Sequence, residues 1–229
     1  MKLQDKLFIV SCQATEEEPM YGKGVVPLIV KSVLSGGAKG IRISQEENID
    51  AVMSIVPKEI PLICLIKKHY SGSDVFITPT LKELMVLTNK RVPIIAMDAT
   101  LRNRPKETLE ELVLWFKNNK FEDQLLMADC SNLDDAENAM KLGFDIIGTT
   151  LHGYTKETCN KSNLDNNMEF LHNLLELNKK YKKYIVAEGG FNTPRDVKKA
   201  FKLGANCVTV GSMITRPNVI TKWFIENIK

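Results

Sequence analysis

Long apolar runs are missing from this sequence of 229 residues. No stretch reaches the ~20 consecutive apolar residues that cross a bilayer. The opening segment MKLQDKLFIVSC holds too short an apolar run for a secretory signal. The expectation is a soluble, cytoplasmic protein with no membrane partner. Charge of one sign is also scarce, since Lys and Arg exceed Asp and Glu only enough to leave +3. No basic block is interleaved with aromatics, which argues against nucleic acid. Histidine is rare, and His69, His152 and His172 lack metal-ligand spacing, so no metal site is expected. The cysteines (Cys12, Cys64, Cys130, Cys159 and Cys207) form no CxxC pair and are odd in number. That pattern reads as reduced core thiols in a reducing compartment. No GxGxxG follows the first apolar run, so the dinucleotide fingerprint is missing too. No tightly bound cofactor is expected.

What the sequence does contain is a cadence. Short apolar runs recur as LFIVSC (7–12), KGIRI (39–43), LICLIK (62–67), PIIAMD (93–98), QLLMAD (124–129), DIIGTT (145–150), YIVAEG (184–189) and NCVTVG (206–211). They are apolar on consecutive positions, as strands covered on both faces should be. Helical patterns lie between them, such as ETLEELVLWFKNN (107–119). In NLDDAENAMKLG (132–143), Asn132 and Asp134 suit a helix start and Gly143 a helix end. KLGFDII (141–147) and KLGANCV (202–208) repeat a helix end, a glycine and a strand entry, with GGAKGI (36–41) a looser copy. Eight strand–helix units in a chain of this length predict an α/β fold, a (β/α)8 barrel forming one catalytic domain over 1–229.

Barrel chemistry sits where strands end and their following loops begin. Every run here leaves its apolar stretch on a polar group: Ser11-Cys12-Gln13, Arg42, Lys67-Lys68, Asp98, Asp129, Thr149-Thr150, Glu188 and Gly211-Ser212. Strand side chains alternate, so Lys67 should point into the mouth and Lys68 away from it. A walled-in lysine loses hydration, and its pKa falls toward a value useful for a general base. Glu188 adds a carboxylate from elsewhere on the rim, although a buried structural ion pair would use the same two residues. After the seventh and eighth runs, Gly189-Gly190 and Gly211-Ser212 precede helix starts. Such turns let backbone N–H groups close on an anion, and Arg216 adds a cation, so a phosphate site is expected. These residues alone support acid–base chemistry on a small phosphorylated metabolite. They leave open a Schiff-base aldolase or lyase using Lys67, or a phosphosugar sensor without turnover.

The order and content of several motifs resemble the N-acetylmannosamine-6-phosphate 2-epimerases. They include IVSCQA (9–14), GIR (40–42), FITPT (76–80), DATLRNRP (98–105), LMAD (126–129), IGTTLHGYT (147–155), AEG (187–189) and VGSMITRP (210–217). The resemblance runs over nearly the whole chain, and DATLRNRP and TTLHGYT are its most specific parts. It implies a TIM barrel that interconverts N-acetylmannosamine 6-phosphate and N-acetylglucosamine 6-phosphate in sialic acid catabolism. It implies that Lys67 is the catalytic lysine and Glu188 the active-site glutamate. Gln13, Arg42 and Asp129 match sugar-binding positions, and Gly189, Gly190, Gly211 and Ser212 match the phosphate loops. The chain departs from the family pattern at His152, where a small residue is usual, and at Gly190, where a larger and often basic one is. The terminal segment PNVITKWFIENIK carries an apolar stripe (Val219, Ile220, Trp223, Phe224, Ile228), which either packs on the barrel or forms a homodimer.

Overall fold

Each apolar run becomes a strand, with ends that differ from the run by at most two residues. The computed structural model describes residues 5–228. In chain order the elements are β1 (Leu7–Cys12), α1 (Val25–Ser35), β2 (Gly40–Ser44), α2 (Glu46–Met53), β3 (Leu62–Leu65) and α3 (Leu81–Asn89). They continue with β4 (Ile94–Asp98), α4 (Leu109–Asn119), β5 (Leu125–Asp129), α5 (Leu133–Leu142), β6 (Ile146–Gly148) and α6 (Glu169–Tyr181). The last are β7 (Tyr184–Glu188), α7 (Pro194–Leu203), β8 (Cys207–Val210), a single turn α8 (Ser212–Thr215) and α9 (Pro217–Asn227). The strands pair in sequence order, all parallel, and β8 closes on β1. This is the expected (β/α)8 barrel.

Helix boundaries follow from local chemistry. Asn132 caps α5 by accepting from the Asp135 N–H, while Asp135 reaches back to the Asn132 N–H. Thr80, Thr108 and Thr193 build the same reciprocal box at α3, α4 and α7. Gly143 and Gly204, the glycines of the sequence repeat, are the C-caps of α5 and α7. Among the described residues, no helix is long and apolar enough to cross a membrane.

Two layers of apolar packing result. Ile9, Ile63, Ile94, Met127, Ile146 and Val186 fill the inside of the barrel. Val10, Ile41, Cys64, Ile95, Ala128 and Ile185, their neighbours along the same strands, face outward and pack under the helices. With a period of two, the inward set continues upward through Ser11, Arg42, Lys67, Asp98, Asp129, Thr150, Glu188 and Gly211. The site is therefore the top layer of the barrel interior, and the layers beneath it hold its strands in register.

The terminal helix behaves differently from the other long helices. None of its described residues is buried, and Trp223, Phe224, Ile225 and Ile228 are exposed. Val219 and Ile220, at its start, are half-buried, and the rest of its apolar stripe faces away from its own barrel. Beside it, on the outer face of β8 and β1, an apolar groove of about 690 Å³ lies open, with Phe8, Val197, Phe201 and Met213 among its lining.

Candidate active site

A cavity of about 410 Å³ opens at the C-terminal ends of the strands. Ser11, Gln13, Arg42, Lys67, Glu188, Gly189, Gly190, Gly211, Ser212 and Arg216 all line it. The alternation expected at the end of β3 holds, since Lys67 is half-buried in this cavity and Lys68 is exposed. The strand itself stops at Leu65, however. Lys67 lies on an extension that forms an isolated antiparallel bridge with Ile77.

Arg42 organises the floor. Its guanidinium donates to both oxygens of Asp129, at 3.1 and 2.6 Å, and Nη1 lies 3.1 Å from Glu188 Oε2. Asp129 is fully buried behind Arg42. The Thr150 hydroxyl donates a third bond to Asp129, at 2.7 Å. Burial works against the Arg42 charge, but the two carboxylates outweigh it and hold the guanidinium firmly protonated.

The titrating groups of the cavity are tuned by the same burial. The Lys67 amine is lowered to about 8 by desolvation first, then by the positive charges of Arg42 and Arg216. Among the described residues, no ion pair or hydrogen bond occupies its Nζ. The Glu188 carboxyl is raised, again mainly by burial, and Asp129 adds repulsion that Arg42 and Lys67 partly offset. Glu188 Oε2 is buried against Arg42 without an aligned hydrogen bond, while the residue itself lines the cavity. Gln13 Oε1 and Thr209 Oγ1 are also buried without a partner. Such orphans are costly in a closed core and ordinary in a site built for a polar ligand.

The end of β7 is fixed by Thr149, one of the polar strand ends, and by Asn163, which the sequence did not single out. The Thr149 hydroxyl accepts from the Glu188 N–H at 3.0 Å and donates to the Glu188 carbonyl at 2.9 Å. Asn163 donates to the carbonyls of Thr149, Glu188 and Gly189 at 3.2, 2.8 and 3.0 Å. Gly189 and Gly190 then turn through φ of 101° and 78°, left-handed values that favour glycine. A Cβ on Gly190 would meet open space, so no side chain reaches the cavity from there and the backbone is bare to it. At the next strand, α8 is only one turn long and its dipole is small; the polar groups present are the Gly211–Ser212 backbone, Ser212 Oγ and Arg216. Arg216 donates to Ser212 Oγ at 2.9 Å and to Glu18, from the β1–α1 loop, at 3.2 Å.

Three other sequence expectations resolve here. Asp98 points inward but is consumed by its own loop, bonding Thr100 and pairing with Arg102 at 2.6 Å, so it lines nothing. His152 is buried, with Nδ1 2.7 Å from the Ser131 carbonyl and its ring stacked on Phe170 at 4.2 Å, so it shapes the loop after β6. Cys12, Cys64, Cys130 and Cys207 are buried and Cys159 is exposed, all as free thiols. Burial pushes the Cys12 and Cys207 thiols up to about 12, far from the thiolate a nucleophile needs. Among the described residues, no cluster of three His, Cys, Asp or Glu side chains suits a metal ion.

Similarity to known proteins agrees with this geometry. The family described as "Putative N-acetylmannosamine-6-phosphate epimerase" matches residues 26–229. A relative from Mycoplasmopsis pulmonis is 52% identical over 98% of this chain and 98% of its own. One from Mycoplasma mycoides subsp. mycoides is 47% identical over the full length of both. Each is named "Putative N-acetylmannosamine-6-phosphate 2-epimerase". The solved N-acetylmannosamine-6-phosphate 2-epimerase from Clostridium perfringens superposes with a TM-score of 0.88 at 36% identity, covering 98% of this chain and 94% of that one. A thiamine phosphate pyrophosphorylase from Pyrococcus furiosus, 16% identical with a TM-score of 0.62, shares the fold. The top layer of this barrel and the full-length match lead to one conclusion: the chain belongs to the N-acetylmannosamine-6-phosphate epimerase family.

Proposed function

We propose that this protein interconverts N-acetylmannosamine 6-phosphate and N-acetylglucosamine 6-phosphate by moving a proton at C2, a step of sialic acid catabolism. The observation that carries the reading is Lys67, a desolvated amine with a pKa near about 8, in the cavity that also holds Glu188 and two glycine turns. About one Lys67 in ten is neutral at pH 7, enough to act as a base. In the open-chain sugar, C2 lies next to the C1 aldehyde, and its hydrogen is acidic. Lys67 Nζ takes that hydrogen as a proton, and the C2–H electron pair moves into an enolate on C1–O. Return of a proton to the opposite face of C2 inverts the centre. Arg42 supplies a fixed positive charge beside the developing anion. Glu188, which lines the cavity, holds the sugar hydroxyls and assists ring opening. Gln13 orients the sugar, while Asp129 acts through Arg42.

The phosphate, in this reading, lies against the Gly189–Gly190 and Gly211–Ser212 backbone with Arg216 as counter-charge. Holding the substrate at that remote end orients C2 against the amine. We further propose that residues 1–229 act as one cytoplasmic catalytic domain, a placement supported by the buried free thiols. In the functional form, two copies pair and α9 of each covers the apolar groove of the other. The unpacked apolar face of α9 and the open groove on β8 and β1 support this pairing.

Turnover of N-acetylmannosamine 6-phosphate in D₂O tests the chemistry. Deuterium at C2 of the product, and no turnover by Lys67→Ala, are expected. Unlabelled product, or a Lys67→Ala variant at the wild-type rate, overturns the assignment. Borohydride should trap no covalent adduct on Lys67.

A further inference from the structure

β3 ends two residues short of Lys67, so something other than the regular sheet holds that backbone. On one side stands the 76–78 segment. The Thr78 N–H donates to the Ile66 carbonyl at 2.7 Å, and the Lys68 N–H donates to the Phe76 carbonyl at 2.9 Å. In a bridge of this kind the central residue bonds nothing on that side. The N–H and C=O of Lys67 therefore face the other way, toward the end of β2.

There the parallel ladder is about to stop. Ser44 stands opposite Leu65, and the Gln45 N–H donates to the Leu65 carbonyl at 3.0 Å. The next rung of a parallel ladder would put the Lys67 N–H on the Gln45 carbonyl. That carbonyl is instead taken by the Asn48 N–H at 3.2 Å, where the chain winds into α2. The Gln45 side chain supplies the missing rung. Its Oε1 accepts from the Lys67 N–H at 2.8 Å, and its Nε2 donates to the Lys67 carbonyl at 3.3 Å. A primary amide carries one acceptor and a donor pair in a plane, so it replaces a peptide unit.

Two features mark this arrangement as costly to keep. Gln45 adopts φ 77° and ψ 138°, a left-handed backbone that costs a non-glycine residue about 1–3 kcal/mol. It is also the N-cap of α2 yet gives its own helix no side-chain cap, whereas the N-caps of α4, α5 and α7 do. The side chain is turned away from its helix and onto Lys67.

We propose that Gln45 is a positioning residue of the reaction: its amide extends β2 by one rung and sets the backbone from which the Lys67 amine reaches C2. The inference rests on Lys67 being the base. Because Gln45 does not line the cavity that holds the substrate, it acts through Lys67 alone.

The test measures kcat, KM, the pH dependence of kcat/KM and Tm for Gln45→Met, Gln45→Gly and Gln45→Glu, with Lys67→Ala alongside. Gln45→Met keeps the length and loses the amide; kcat should fall about ten- to a hundredfold, as small misplacements of a base do. KM should stay close to wild type, because the phosphate contacts lie on the other side of the barrel. Gln45→Gly relieves the left-handed backbone and should hold or raise Tm while kcat falls equally, which separates positioning from folding. Gln45→Glu keeps an acceptor for the Lys67 N–H and adds a negative charge, so it should regain part of kcat and move the pH midpoint upward. If Gln45→Met and Gln45→Gly keep the wild-type kcat and pH midpoint while Lys67→Ala is dead, the inference falls and the base assignment stands. A Tm loss with kcat unchanged also sinks it, since the amide would then be structural only. A fully active Lys67→Ala removes the base assignment itself and is recognised without any Gln45 variant.

Discussion

Arg42 and Asp129, from β2 and β5, meet across the barrel interior in a two-bonded pair with almost no exposure to solvent, 1% and 0%. Two such charges are expensive to bury, and their attraction offsets that cost only while both are present. Asp129→Ala should therefore cost up to about 3–5 kcal/mol, because it removes both hydrogen bonds of the buried guanidinium and leaves it only the contact to Glu188. Thermal unfolding is expected to drop by roughly 10 °C in a chain of this size. Turnover should fall with it, since the charge beside the reacting carbon is no longer fixed. An unfolding midpoint equal to wild type would show that Arg42 finds another partner.

The pH dependence of kcat/KM should report Lys67. The amine must be neutral to accept a proton, so activity rises with pH and is half-maximal near about 8. Negative charge on Glu188 favours the ammonium, so Glu188→Gln should move this midpoint to lower pH while lowering the rate. A midpoint that stays put would separate the two groups electrostatically.

Glu18 reaches from the β1–α1 loop to Arg216, a cation that lines the cavity with the two glycine turns. A phosphate arriving there competes with a carboxylate already in place. Glu18→Gln should tighten inhibition by inorganic phosphate by roughly two- to fivefold, the worth of a partly exposed ion pair. Weaker inhibition would mean that Glu18 orients Arg216 for the anion.

The exposed apolar face of α9 makes a prediction about association. Replacing Trp223 and Phe224 with glutamate should convert a dimer to monomer in sedimentation experiments. A wild-type chain that sediments as a monomer at micromolar concentration would remove the proposed pairing.

The ring of polar strand ends could be read from the sequence because it follows from a period of two. Once Ile9 and Ile63 point inward, Ser11 and Lys67 do as well, and the apolar-to-polar change along each run marks the mouth. What alternation cannot say is whether an inward group stays free. Asp98 has the same position as Glu188, yet a loop that folds back brings Arg102 onto it, and only the folded loop reveals this. Asn163, Gln45 and Glu18 were missed for a related reason. Each is a polar residue in or beside a loop whose partner lies far along the chain, Glu188, Lys67 and Arg216 in turn, so spacing carries no trace of it. The terminal stripe was legible as amphipathic, but a stripe does not name the surface that covers it.

The first and last strands are stitched together at the glycine turn after β8. Thr215 donates to the Ser11 carbonyl at 3.0 Å across 204 positions of sequence, and a Cβ on Gly211 would come within 3.3 Å of that of Ser11. While the ribosome still holds the eighth strand, no substrate pocket exists, however well the earlier strands have folded. In the proposed reading only finished molecules carry ligand, and a phosphosugar bound there would clasp the seam where the ring would otherwise begin to open.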